Sequence, residues 1–314
     1  MPVVPKNLAG LLALLLATGC GTEGGSEATE AAKARRQEGL LLTGRGALFL
    51  QQGRPQRALA LLREAAEKLP EAPEPHYHLG LAYSRLDRPA EAAAAFERAL
   101  ALGLSTPELC FALGIALRAL RRDPEAVAQL QSALAQAPDR PEYHFHLGEA
   151  RRATGDFAGA LEAFEAATRL DTSHAEAQFY RSDLLARLDR PAEAEAGYRR
   201  TLALAPRHLR AHLDLGRLYV QQKRHREALP LLQQALDQDP RAAGAHYLLG
   251  QVYARLGQAG RAEAELAAFR RLNTAEQHFD QGTLCARRGQ WDQAIAFWTR
   301  AIEADSSFLG AYLR

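Results

Sequence analysis

The chain has 314 residues, 47% of them hydrophobic and 24% charged, which is apolar material enough for one large core or two ordinary domains. Its 39 basic and 37 acidic residues nearly balance at +2, and no run of Lys or Arg stands out, so nothing in the charge suggests a nucleic-acid partner. Alanine and leucine dominate while Val, Ile and Thr are sparse, which favours helix throughout.

At the amino terminus Lys6 precedes an apolar run from Leu8 to Thr18. The run is too short to span a bilayer comfortably and fits the h-region of a secretory signal, so residues 1–19 are expected to be removed and not folded. It closes on Ala17-Thr18-Gly19-Cys20, which resembles the lipobox of bacterial lipoproteins, with Ala17 where the family usually carries Leu. The resemblance implies a diacylglycerol on Cys20 as the first residue of the mature chain. With Gly21 after it, it further implies a place at the periplasmic face of the outer membrane. An ordinary signal peptide and release into the periplasm is the alternative. Residues 20–26 form a Gly-rich tether reaching at most about 20 Å from the lipid. Ser26 is placed to cap a helix whose first turns carry Glu27 and Glu30.

From Gly39 onward one unit recurs. Steps of 34 residues from Gly46 reach Gly80, Gly114, Gly148, Ser182, Gly216 and Gly250. A second small residue keeps the same phase as Ala58, Ala92, Ala126, Ala160, Ala194, Ala228 and Ala262. Within a unit, Leu79, Tyr83 and Leu86 share a helical face, and after Asp87-Arg88-Pro89 so do Ala92, Phe96, Ala99 and Leu100, predicting two amphipathic helices that pack together. Pro89, Pro124 and Pro191 fit the first turn of the second helices. Pro70, Pro138, Pro206 and Pro240 stop those helices, and Thr106-Pro107-Glu108 caps the next first helix. The Gly at the eighth place and the Ala at the twentieth are expected to let the two backbones approach closely. The last step is 32 residues, because Gly282, Ala294 and Ala301 come two early; Leu272 is expected to end a helix and Thr274-Ala-Glu-Gln277 to cap the next. The chain closes on Phe308, Leu309, Tyr312 and Leu313, read either as an imperfect cap or as a docking edge.

This pattern of Leu-Gly-x-x-Tyr, then Ala-x-x-x-Phe-x-x-Ala and a terminal Pro, resembles the tetratricopeptide repeat family. The resemblance implies an all-α fold, a right-handed α-solenoid of about eight helix-turn-helix repeats within residues 27–314. They would begin near Gly39, Pro73, Pro107, Pro141, Ala175, Leu209, Ala243 and Ala275. Ser182 for Gly, Arg151 for the Tyr-like residue and Phe269 for a small residue are the weakest matches.

The histidine pairs His76/His78 and His144/His146 cannot chelate from one face, because helical residues two apart point to different sides. His76, His144, His212, His246 and His278 share the fourth place, where the family usually carries a large aromatic, and are read as packing residues; no metal and no cofactor is expected. Cys110 and Cys285 belong to repeats too far apart for a disulfide. No nucleophile elbow, phosphate loop or zinc-protease motif is present, so no enzymatic activity is expected.

In this family the first helices line a concave groove. Its fifth places here supply Tyr77, Phe111, Phe145, Phe179, Leu213, Tyr247 and Phe279, while Arg118, Arg152 and Arg187 recur near the ends of the same helices and Glu74, Glu108, Glu142 and Glu176 near their starts. The row has two readings: anchors for an extended segment or helix of a partner protein, or rings packed between neighbouring helices. The Lys and Asn with which chaperone-binding members clamp a carboxylate are absent; Leu81, Ile115, Glu149 and Asp183 stand at the Asn place. The expected protein is a non-catalytic, lipid-anchored interaction scaffold of the bacterial envelope. It looks like the lipoproteins that pilot pilus secretins and like the adaptors of cell-wall hydrolases. An accessory subunit of an envelope enzyme and a soluble cytoplasmic scaffold are the other readings.

Overall fold

The computed structural model describes residues 26–306, and among these every regular element is an α-helix. The signal segment, Cys20 and most of the tether lie outside the described residues, as do Phe308, Leu309, Tyr312 and Leu313. The chain divides into two compact units, the first ending at Leu120 and the second starting at Arg121. The first holds α1 (Ser26–Gln51), α2 (Pro55–Lys68), α3 (Pro73–Arg85), α4 (Pro89–Ala101) and α5 (Pro107–Ala119). The second begins with α6 (Asp123–Gln136), α7 (Pro141–Thr154), α8 (Phe157–Leu170), α9 (Ala175–Arg187) and α10 (Pro191–Leu204). It continues with α11 (Leu209–Gln221), α12 (His225–Gln238), α13 (Ala243–Arg255), α14 (Ala259–Arg287) and α15 (Trp291–Ala304). Within each unit a helix packs on the one before it and the one after it, so each helix pair rests on its neighbours in sequence.

The glycine at the eighth place lets the two backbones approach, as the sequence predicts, since a Cβ on Gly250 or Gly282 would lie 3.4 or 3.0 Å from the carbonyl oxygen of the twentieth-place Ala262 or Ala294. Its closest partner is a bulky residue at the twenty-fourth place more than the alanine at the twentieth. A Cβ on Gly80 would lie 2.4 Å from the Phe96 ring, and one on Gly148 would lie 2.7 Å from Phe164. Gly46 meets Leu62, Gly216 meets Leu232, Gly250 meets Leu266 and Gly282 meets Trp298 in the same way. The alanines at the twentieth place, among them Ala92, Ala160 and Ala228, are fully buried and form the floor of the contact.

Proline starts α2, α3, α4, α5, α7 and α10, and Thr106 accepts a hydrogen bond from the Leu109 N–H at 3.2 Å, as the sequence predicts. Second helices gain a further brace where Arg precedes the helix and Glu stands three residues on: Arg88–Glu91, Arg122–Glu125, Arg190–Glu193 and Arg224–Glu227 are ion pairs. Each of these glutamates is held below the usual carboxylate range by its arginine. At α8 the arginine is replaced by Asp156, which instead accepts from the Gly159 N–H at 2.9 Å. The turn inside every repeat passes through one left-handed residue at its fifteenth place. Glycine supplies it at Gly53, Gly155, Gly257 and Gly289, and Asp87, Arg121, Asp189 and Lys223 supply it elsewhere.

One expectation is overturned. Leu272 does not end a helix and Thr274 does not cap one, because α14 runs unbroken for 29 residues, about 43 Å. Ordinary repeats are joined by a four-residue turn such as the one between Leu204 and Leu209. With the last period two residues short, the turn cannot form, and the second helix of one repeat continues as the first helix of the next. The start of α13 and the end of α15 both meet the middle of this long helix, where Arg241 and the buried Asp305 form an ion pair at 3.1 Å.

The substitution Gly148→Ala is expected to destabilise the second unit by about 1–3 kcal/mol, since the fully buried Phe164 ring has nowhere to move. Urea unfolding followed by circular dichroism measures this, and Gly148→Ala combined with Phe164→Leu should recover part of the loss. An unchanged midpoint for Gly148→Ala would refute the close contact.

Candidate functional site

The first helices carry the row of fifth-place residues, and the structure separates them by exposure. In the first unit Tyr77 is half-buried, 6.1 Å from the Phe96 ring, and Phe111 and Arg118 are half-buried on α5. In the second unit Phe145 on α7 is half-buried within a nest of rings: His174 at 4.7 Å, Phe164 at 5.8 Å and Tyr180 at 6.0 Å. Leu213 and Phe279 are half-buried as well.

Phe179 corrects the expectation of a groove anchor. It is fully buried, with the Arg210 guanidinium over its face at 4.5 Å and the His208 ring at 4.6 Å. It belongs to the core and offers no surface to a partner. Its neighbour Tyr180, which the sequence reading did not single out, stacks on Phe164 at 5.5 Å and carries the Arg152 guanidinium at 5.0 Å. Arg152 is thus engaged by a ring, while the exposed Arg187 pairs with Asp183 at 3.2 Å along its own helix.

Tyr247 is different from the rest of the row, because 43% of it is exposed. Its ring rests on Phe269 at 5.1 Å and forms one wall of a cleft of about 290 Å³ between α11 and α13. Gly244, one turn earlier, has no side chain to fill the space, and Val220 and Leu248 give the cleft an apolar base. Gln221 and Gln251 bring amide groups that donate and accept, and Arg217, paired with Asp214, brings the charge. Burial, the dominant effect, pushes the Asp214 carboxyl up despite that arginine. An aromatic wall with convergent polar groups is the composition of a site that takes side chains of a protein segment.

The histidines have a structural use that the sequence reading missed. His144, His212 and His246 each donate a ring N–H to the carbonyl of the proline six residues earlier, at 2.7, 2.9 and 3.0 Å. His76 stands in the same register to Pro70. The signal was present in the sequence, since Pro at the thirty-second place and His at the next fourth place occur together. Where the proline is replaced by Leu104 or Thr172, the histidine is replaced by Cys110 or Gln178. His278 lacks this arrangement because Leu272, six residues before it, is inside α14. Among the described residues no three His, Cys, Asp or Glu side chains are grouped to hold a metal ion, and Cys110 and Cys285 are buried free thiols. No helix among them is long and apolar enough to cross a membrane.

A family model described as tetratricopeptide repeat matches residues 43–107, 111–172 and 145–208, and one described as TPR repeat matches 216–257. Among solved structures, YrrB, described as a TPR protein with an unusual peptide-binding site, aligns at 25% identity with a TM-score of 0.54. The alignment spans 60% of this chain and 97% of YrrB. PilF of Pseudomonas aeruginosa aligns at 22% identity and a TM-score of 0.58, over 69% of this chain and 99% of its own. MamA of Desulfovibrio magneticus RS-1 aligns at 23% identity and a TM-score of 0.51, over 55% and 97%. At these identities the last two share the fold. No curated protein matches the chain in sequence.

His78, at the sixth place of its repeat, supplies a pH test of the first unit. Burial pushes its ring from 6.5 down to about 4, so the folded chain keeps it neutral where the unfolded chain takes up a proton. Stability from this group is therefore complete above about 6.5 and is lost as pH falls towards 4, at no more than about 1.4 kcal/mol per pH unit. Urea midpoints from pH 7 to pH 5 should fall more steeply for the native chain than for His78→Ala, the residue that Ala112 places at the equivalent position. Parallel slopes would refute a ring held neutral in the folded chain.

Proposed function

The chain belongs to the tetratricopeptide repeat family, and on that premise we propose that it is a non-catalytic adaptor of the bacterial envelope. In this reading it is held by a lipid on Cys20 and grips a segment of a partner protein at Tyr247. The repeats themselves point to a protein–protein interaction scaffold. The observation that carries the site is the exposed Tyr247 ring beside an open cleft, in a row whose other members are half-buried or, at Phe179, fully buried. A cleft of about 290 Å³ holds one or two side chains, so an extended segment suits it: a ring or aliphatic group against Tyr247, its backbone against Gln221 and Gln251, a carboxylate near Arg217. YrrB, with its peptide-binding site, is a precedent on the same fold. The envelope location rests on the h-region and on Ala17-Thr18-Gly19-Cys20. Assembly of an envelope complex, such as a pilus, secretion or cell-wall machine, is the role this combination suits.

Two measurements test the proposal separately. Tagged chain extracted in detergent should co-purify with a partner that Tyr247→Ala loses by roughly tenfold or more, with unchanged helicity because the ring is a surface group. Equal recovery by the variant would remove the cleft from the proposal. The mature amino terminus should be a diacylglyceryl Cys20, and Cys20→Ser should move the chain from the membrane to the soluble fraction. An unmodified Cys20, or membrane retention of the serine variant, would remove the anchor.

A further inference from the structure

The fifth repeat departs from its siblings in one place and in one direction. At the seventh place the five other internal repeats bury a leucine, Leu79, Leu113, Leu147, Leu215 and Leu249, whereas this repeat carries Arg181. Thr168 on α8 stands where other second helices have Leu100, Leu134, Leu202 and Leu236. The turn that follows has Thr172 in place of proline, and α9 has Gln178 in place of the histidine that would bond that proline. Four positions that are apolar or self-satisfied elsewhere have become polar here, and all four line a single open cleft of about 530 Å³.

Arg169 from α8 and Arg200 from α10 complete the walls, so three guanidinium groups converge against one carboxylate, Glu165. The Glu165 carboxylate pairs with Arg181 at 3.5 Å and its carbonyl accepts the Thr168 hydroxyl at 3.1 Å, whereas Arg169 and Arg200 have no hydrogen bond or ion pair among the described residues. The contrast with the second repeat is informative. There Arg98, at the place of Arg200, donates to the Pro70 carbonyl at 3.2 Å and to Glu71 at 3.3 Å. In the turn before the fifth repeat Thr172 and Ser173 stand at those two places, so the arginine is kept while its internal partners are gone. Gly197 on α10 keeps the neighbouring backbone open, since a Cβ there would strike the Ser182 hydroxyl at 2.1 Å and the Gln178 amide at 3.0 Å.

We propose that the cleft between α8, α9 and α10 binds a polyanion. Its carboxylate or phosphate oxygens would be met by Arg169, Arg181 and Arg200 and by the hydroxyl group of Thr172. Planar guanidinium forks and hydroxyl donors suit oxyanions, and the volume lies within the range of small-ligand sites. The anion is either a free small molecule or the acidic side chains of a protein segment, and the two are told apart by the probe that binds. Gln178 and Arg181 share one face of α9 and the fifth-place residue Phe179 another, so this site is separate from the Tyr247 cleft.

The test is calorimetric titration of the full chain with citrate, with pyrophosphate and with the peptide acetyl-Glu-Glu-Glu-Glu-amide, with hydrogen exchange to locate protection. One of these should bind once per chain, protect α8 to α10, and bind roughly tenfold or more weakly to Arg200→Ala, the loss expected for a charge-assisted hydrogen bond. Arg181→Leu, which restores the residue of the other repeats, should lose the same binding while raising the melting temperature. Binding of citrate or pyrophosphate identifies a free anion, and binding of the peptide alone identifies an acidic segment. Binding by none of the three, or an affinity unchanged in the well-exposed Arg200→Ala, overturns the site.

Discussion

The contact on which the structure depends lies between a missing side chain and a large one. The eighth place of each first helix is empty of Cβ so that the residue sixteen positions later, on the second helix, can enter: Phe96 over Gly80, Phe164 over Gly148, Trp298 over Gly282. A helix pair alone leaves much of such a ring in water, and the next repeat completes its cover. Much of the core of the second unit is accordingly one cluster continuing from Ala160 to Ala262. Stability in such an array is shared between nearest neighbours. A change at this contact must therefore be answered locally, as at Ser182, where the side chain that replaces glycine is accommodated because Gly197 on the facing helix has none.

The two-residue deletion before the last repeat shows the same economy of local rules. Removing half of a four-residue turn leaves no path for the chain except to continue the helix, and α14 results. Because α13 lies along its first half and α15 along its second, the loop before α13 and the end of α15 come together at its centre. Arg241 and Asp305 meet there with the carboxylate only 5% exposed. A charge so buried tolerates no loss of its partner, and the pair fixes the two shorter helices against the long one.

What could be read in the sequence was what local rules decide. The phase of the repeats, the prolines that open helices and the Thr106 cap each depend on a few consecutive residues. The break expected after Leu272 failed because a capping motif is weaker than the geometry of a shortened turn. The fate of the fifth-place rings was not legible, since burial there is decided by the next repeat. Phe179 is covered by His208 and Arg210, which stand about thirty residues further on, whereas Gly244 leaves space beside Tyr247. Six aromatic residues in equivalent places therefore end in different environments.

A repeat protein carries its own controls, because each place has been filled several times under nearly the same constraints. Some departures from the common pattern are answered by a new contact. Arg151 at a place that holds Tyr83 and Tyr219 elsewhere donates to the Gly159 carbonyl at 2.9 Å, and Asp156 in place of arginine caps its helix directly. These substitutions exchange one way of holding the fold for another. Around Arg181 the answer is incomplete: Arg181 pairs with Glu165, but Arg169 and Arg200 beside it have no partner among the described residues, and a buried leucine has been given up at the repeat seam. A leucine withdrawn from such a position forgoes about 2 kcal/mol of burial. A chain that is otherwise locally consistent keeps such a loss where the exposed groups have another use.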